Sequence, residues 1–136
     1  MGPPTVLRFE VGPRTSNRAL NTLYRASWPR HRRFDFTPVL QQNLTYICAF
    51  DRKELVGFVY LAWDGAQHAF LLEPTVVPRL RRQGVGKELV RRAVEQARDR
   101  GLEWVHVDFE PRLARFYRSC GFVPTRAGLI LLRERR

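Results

Sequence analysis

The 136 residues predict a single mixed α/β domain spanning 1–136, and three observations carry that prediction. Strand-like runs rich in β-branched and aromatic residues recur along the chain. The longest stretch of helical periodicity, Val85 to Arg100, stands between two of them. No repeat or low-complexity linker interrupts the order, and a 44% hydrophobic share is enough to build a core.

Each element has a local reason. Val6 to Val11 alternates apolar and polar residues, the pattern of a half-buried strand, and Gly12-Pro13 ends it. Ser16 or Asn17 caps a helix carrying Leu20, Leu23, Tyr24 and Trp28, stopped by Pro29. Arg30 to Phe36 reads as a loop, and Pro38 to Leu44 as a short helix. Residues 46–50 and 55–61 flank the polar turn 51–54 as a hairpin. Ala69 to Val77 is a further strand, interrupted by Glu73-Pro74. A proline removes a ladder donor, so a bulge or splay is expected there.

In the helix from Val85, the residues Val85, Leu89, Val90, Ala93, Val94 and Ala97 share one face, and Gly101 is its stop. Leu102 to Phe109 is a strand, and Pro111 to Cys120 a short helix closed by Gly121. Phe122-Val123 and Gly128 to Arg133 supply one or two closing strands.

Composition removes several function classes. Two cysteines make no disulfide framework, and the histidines at 31, 68 and 106 have no ligand spacing for a metal. No apolar run is long enough to span a membrane, and no secretory signal opens the chain, so a soluble cytoplasmic protein is expected. The charge is less ordinary: 24 basic against 13 acidic residues leave +11, and all but Lys53 and Lys87 of the basic ones are arginine. Such a chain seeks polyanions, whether nucleic acid, an anionic surface or a phosphate-rich cofactor.

The informative segment is Arg81-Arg82-Gln83-Gly84-Val85-Gly86, between a strand and the best helix. Glycines there let a ligand approach the backbone, and a helix N-terminus offers free N–H donors to an anion. A Walker loop is excluded, because Arg81 stands where its first glycine belongs and Glu88 follows Lys87. A dinucleotide fingerprint is excluded by Leu89 at its third glycine. Arg79, Arg81 and Arg82 repel one another unless an anion sits among them.

Val76-Val77-Pro78-Arg79-Leu80-Arg81-Arg82-Gln83-Gly84-Val85-Gly86 resembles the central motif of the GNAT superfamily of N-acetyltransferases. Tyr117-Arg118-Ser119-Cys120-Gly121-Phe122 resembles its Tyr-x-x-x-Gly-Phe motif. The hairpin through Glu54-Leu55-Val56-Gly57-Phe58 and the element order over 6–132 are also similar to that family. The resemblance implies a mostly antiparallel central sheet with one splayed strand pair, flanked by helices. It implies acetyl-CoA as cosubstrate and a primary amine, on a small molecule or a peptide, as acceptor. Its pyrophosphate is expected on the amides of Gln83, Gly84, Val85, Gly86 and Lys87, with Arg81 and Arg82 nearby. Its pantetheine arm is expected along the backbone at Val76 and Val77, with the splay beginning at Glu73-Pro74.

An amine must be neutral to attack a thioester, and the departing thiolate needs a proton. Tyr117 is the family-matched acid, although it shares a helical face with Leu113 and Phe116 as a core aromatic would. Glu73 is the first candidate base; His106, Asp108, Glu110 or a water relay are the alternatives. Where the family often has Asn, this chain has Glu110, which puts a cofactor contact there in doubt. Glu10, Asp35, Asp64, Glu73, Asp108 and Glu110 could each meet a cationic acceptor. Two other classes compete: an acyl-CoA-binding protein without catalysis, and a nucleic-acid-binding module suggested by Arg30, Arg32 and Arg33 among Phe34 and Phe36. No nucleic-acid motif supports the latter. Members of the family often dimerise, so a homodimer is compatible with the sequence. The basic stretch Arg30–Arg33 and the arginines at 133–136 have no assigned role.

Overall fold

The computed structural model describes residues 6–133. The end of the arginine-rich tail, 134–136, lies outside the described residues. Five strands form one sheet in the order β1 (Arg8–Val11), β2 (Thr45–Asp51), β3 (Glu54–Trp63), β4 (His68–Val76), β5 (Trp104–His106). The first four run antiparallel and β5 joins β4 in parallel. Helix α1 (Asn17–Ser27) and the short α2 (Thr37–Gln42) precede β2. Helix α3 (Val85–Asp99) connects β4 to β5, and α4 (Ala114–Ser119) follows β5. A mixed α/β layer architecture is therefore what the sequence predicted.

The two sheet faces are divided by register. Ala49 pairs with Gly57, and a Cβ at Gly57 would stand 3.1 Å from Leu89 of α3, so this pair faces α3. The adjacent pair, Cys48 and Phe58, points the opposite way because side chains alternate along a strand. There Phe58 meets Tyr24 of α1, ring centroids 6.4 Å apart. Leu20, Leu23 and Phe58 on one side, with Ile47, Val59 and Leu89, make the fully buried centre.

Local signals set most boundaries. Ser16 caps α1, its hydroxyl accepting the Ala19 amide at 3.1 Å. Gly101, at φ +75°, ends α3 in the left-handed conformation that a side chain disfavours. The hairpin turn is tighter than the sequence suggested: Asp51 pairs with Glu54, leaving Arg52-Lys53 as the turn. Strand β5 is also shorter than predicted, because the chain leaves β4 after His106.

The expected closing strands at 122–123 and 128–133 are a correction: neither forms. Apolar composition alone does not make a strand, which needs a neighbour to complete its ladder. Pro124 also breaks the run, and Val123, Leu129, Ile130 and Leu132 are 81–95% exposed.

Candidate active site

The chain leaves β4 at Val76, makes a 3-10 turn over Pro78–Leu80, and enters α3 through Gly84 at φ +83°. No side chain caps Gly84, so the first-turn amides of α3 have no partner within the helix and point outward. The side chain of Gln83 folds back to donate to the Arg79 carbonyl at 3.2 Å and holds the turn. Arg82 is held at φ +63°, uncommon for a residue with a side chain.

Gly84 and Lys87 open onto a cavity of about 350 Å³, completed by Glu88 and Arg91 of α3, by Ser119 of α4 and by Cys120 just after it. Arg91, which the sequence reading did not single out, is a further functional candidate. It lies one turn beyond Lys87, so the helical period was the signal that could have found it. Glu88 is bound by Arg91 at 2.7 Å and by Arg92 at 2.8 Å. Those guanidiniums, Arg91 first, hold its carboxyl down at about 2. The remaining cavity cation is Lys87.

The three arginines before the helix do not crowd around one point. Arg79 pairs with Asp51 at 3.1 Å and Glu54 at 2.6 Å, across the β2–β3 turn. Arg81 donates to the carbonyl of Ser27, at the end of α1, at 2.8 Å. The expected repulsion is thus relieved for Arg79 and Arg81 by the protein's own acceptors.

Strands β4 and β5 pair only at His68–Phe70 with Trp104–His106, so the edge of β4 from Leu71 to Val76 has no strand beside it on that side. This is the splay, and the bulge coincides with it. Tyr60 pairs with Leu72 but Phe58 with Thr75, so Glu73 and Pro74 stand opposite Val59 alone, one extra residue on β4. Glu73 sits at φ +52°. Among the described residues, two of the three side-chain-bearing residues at positive φ, Glu73 and Arg82, therefore flank the same segment, and such strain gathers at functional sites. Gly86 faces the splay: a Cβ there would stand 3.5 Å from Phe116 of α4 and 3.9 Å from Val76 of β4.

Tyr117 is the buried residue of α4, 5% exposed, stacked on Phe109 at 4.8 Å and edge-on to Phe116 at 5.0 Å and Phe122 at 5.8 Å. Burial, with Cys120 and Asp108 behind it, pushes its phenol up to about 12. It is packed like a core aromatic and lies one helical step from Cys120 in the cavity wall.

The acidic candidates separate. Asp35 accepts from Asn17 and from the Thr37 amide, and Asp64 accepts three amides of its own turn. Glu10 pairs with Arg8, and Glu110 with Arg112 at 2.7 Å at the start of the last helical segment. Glu73 and Asp108 carry no ion pair among the described residues. His106 contacts His68 at 2.8 Å and stacks on Phe70, on the paired part of β5 before the splay.

The C-terminal end of α1 is fastened to this region. Trp28 donates its indole N–H to Thr75 at 3.2 Å, and Thr75 donates to the Glu73 carbonyl at 2.9 Å. The following basic loop folds over Asn21, whose side chain accepts from the Phe34 amide at 2.9 Å and contacts His31 at 2.8 Å. Because that Asn21 oxygen accepts, His31 Nε2 carries the proton.

A model of the acetyltransferase (GNAT) family matches residues 16–122. The chloroplastic GCN5-related N-acetyltransferase 1 of Arabidopsis thaliana is 30% identical over 84 residues, 60% of this chain and 43% of that protein. The match thus spans less than half of that relative's length. A GNAT-family acetyltransferase of Streptococcus pneumoniae has the same fold, with a TM-score of 0.81 and 23% identity over 96% of this chain and all of that one. The aminoglycoside N-acetyltransferase AAC(6')-Iy, solved with a bisubstrate analogue built on CoA, gives a TM-score of 0.73 at 19% identity over 96% and 99% of the two chains. With both motifs in place and the family model covering most of its length, this chain belongs to the acetyltransferase (GNAT) family.

Proposed function

We propose that residues 1–136 form one N-acetyltransferase domain that moves an acetyl group from acetyl-CoA to a primary amine by direct attack. The observation that carries this reading is the uncapped N-terminus of α3 behind Gly84, opening on a cavity beside the splayed edge of β4. Unpaired amides and the helix dipole suit a pyrophosphate there, and an open strand edge suits the amide groups of a pantetheine arm. The residues fit the cosubstrate: Gln83, Gly84, Val85, Gly86 and Lys87 would hold its phosphates, with Arg81, Arg82 and Arg91 adding positive potential. Val76 and Val77 would supply backbone to its arm. That AAC(6')-Iy was solved with a CoA-based analogue supports the same assignment.

When bound, acetyl-CoA supplies an activated acetyl group. Glu73, without an ion pair of its own, takes the proton the amine loses, directly or through water. Tyr117 keeps its own proton at neutral pH and donates a hydrogen bond from its hydroxyl to the departing thiolate, which takes its proton from solvent as the proton on Glu73 returns there. The rings of Phe109, Phe116 and Phe122 pack around the Tyr117 ring and fix its position. The acceptor is an amine of a small molecule or peptide, and a cytoplasmic location accords with a CoA cosubstrate. No helix among the described residues is long and apolar enough to cross a membrane.

Thiol release from acetyl-CoA over a panel of amine classes tests the reading. At about a hundred times its dissociation constant, acetyl-CoA should also raise the melting temperature by roughly 5–10 °C. A shift without thiol release on any amine would mark a binding protein rather than an enzyme. The absence of a shift at millimolar acetyl-CoA would refute both.

A further inference from the structure

The pairing of β4 with β5 brings together two histidines that stand 38 positions apart in the sequence. In the parallel register His68 lies beside Trp104 and Phe70 beside His106, and alternation along the strands puts these side chains on one face. It is the face that α1 covers at Phe58, because Phe70 pairs with Ala62, which alternates onto the same side of β3. Here that cover has ended: Phe70 is 41% and Trp104 56% exposed. Within this open patch Nδ1 of His68 stands 2.8 Å from Nε2 of His106.

Each histidine is held from one side. The Phe70 ring stacks on His106, with centroids 4.8 Å apart and planes 20° from parallel. The His68 amide donates to the Asp64 carboxylate at 3.1 Å, which fixes the start of β4 and sets a negative charge beside His68. The other two ring nitrogens have no hydrogen-bond partner among the described residues. A hydrogen bond between exposed imidazoles adds little to stability, so the fold itself has small use for this pair.

The spacing has a chemical meaning. Imidazole nitrogens bind divalent transition metals at about 2.0–2.1 Å. Two of them at a right angle about one ion stand about 2.8–3.0 Å apart, and at a tetrahedral angle about 3.3–3.4 Å. The observed 2.8 Å is the right-angled bite, which tetragonal copper(II) and nickel(II) favour and four-coordinate zinc does not.

We propose that His68 and His106 form a two-histidine chelate for a tetragonal divalent ion, copper(II) before nickel(II), on the open face of β4 and β5. His68 binds through Nδ1 and His106 through Nε2, and water fills the remaining positions. The ion sits off the line between the nitrogens, so both rings turn slightly about their Cβ–Cγ bonds. Both nitrogens need a lone pair, so the ring that now donates passes that proton to solvent and takes one up on its other nitrogen. No electron is transferred. The chelate lies on the paired part of the sheet, before the splay, and does not rest on the acetyl-transfer reading.

Titration of copper(II) into the protein, followed by electron paramagnetic resonance, tests the site without turnover. One equivalent should bind with a tetragonal signal split by two imidazole nitrogens. His68→Gln and His106→Gln should each weaken that equivalent about tenfold or more. The double variant should be within about twofold of either single one, because the chelate is lost with the first partner. His31→Gln and Cys120→Ser should leave the signal unchanged, and zinc should bind more weakly than copper. In wild type, copper should also shield both histidines from acylation by diethyl pyrocarbonate, a reading that needs no variant to fold. An equivalent that survives both single substitutions, one that vanishes with His31 or Cys120, a signal with a sulfur ligand, tighter binding of zinc, or no shielding would each overturn the inference.

Discussion

Tyr117 keeps its proton because of where it lies. Phe109, Phe116 and Phe122 surround the ring, and the phenol pushed up to about 12 stays neutral throughout the range where an amine becomes a nucleophile. An acid that weak does not surrender its proton to a thiolate at equilibrium; it lends a hydrogen bond to charge as it develops. Tyr117→Phe removes that bond and leaves the aromatic packing. Turnover should fall roughly 10²-fold while the acetyl-CoA KM stays within about twofold. Unchanged turnover would leave Tyr117 a packing residue. Gly86 poses a different constraint. A Cβ would fit at ordinary contact distance from Phe116 and Val76, so the fold itself does not demand a glycine there. The two neighbours are the walls of the splay, and Gly86→Val fills the gap between them. The variant should melt within a few degrees of wild type yet raise the acetyl-CoA KM about tenfold or more. A fall in stability with an unchanged KM would count against the crevice as the cosubstrate channel.

At the scale of elements, the site depends on α1, β4 and α3 being tied to one another. Thr75 is 1% exposed and is the knot between α1 and the bulge, with Trp28 donating to it and the Glu73 carbonyl accepting from it. Thr75→Val keeps the shape but leaves the Trp28 N–H and that carbonyl without a partner. It should destabilise by about 1–3 kcal/mol in denaturant titration and lower turnover by loosening Glu73. A stability loss with undiminished turnover would separate the knot from the site. The sequence displayed β4, its break at Glu73-Pro74, the glycine turn and α3 almost to the residue, because each is written in local chemistry: a proline, paired glycines, a helical period. Arg79 bound to the hairpin acids, and Trp28 bound to Thr75, were not legible. Both depend on pairings between segments more than 20 residues apart, and no local pattern encodes which partner a side chain meets. The segment 122–133 failed in the opposite sense: its apolar residues read as strand, yet a ladder requires a neighbour that composition does not supply.

Over the whole molecule, Arg79, Arg91, Arg92 and Arg98 are bound to carboxylates that the net +11 already counts, so the excess itself is carried by the other basic residues. These pairs are exposed, so their share in stability is small. The buried neutral groups matter more for how the fold responds to pH. All four tyrosines are held above the usual phenol value, chiefly by burial, with Tyr60 and Tyr117 pushed up to about 12. Burial likewise pushes the Cys48 thiol from 9.0 up to about 12. In the unfolded chain these groups lose protons near 9 for the thiol and 10 for the phenols, while the folded chain keeps them bound. A raised folded pKa contributes stability that is complete below the unfolded value and is lost as pH climbs towards the folded one. The denaturation midpoint should therefore hold through neutral pH, begin to fall above pH 9 and keep falling towards 12. Phenolate absorbance gives an independent reading of the same event. No tyrosine is placed to ionise in the intact fold at its ordinary pKa, so the absorbance should rise together with loss of the far-ultraviolet signal rather than ahead of it. Two or more phenols titrating near 10 in a chain that is still folded would show that Tyr60 beside the bulge and Tyr117 on α4 are open to water, and the role drawn from the burial of Tyr117 would fall with it.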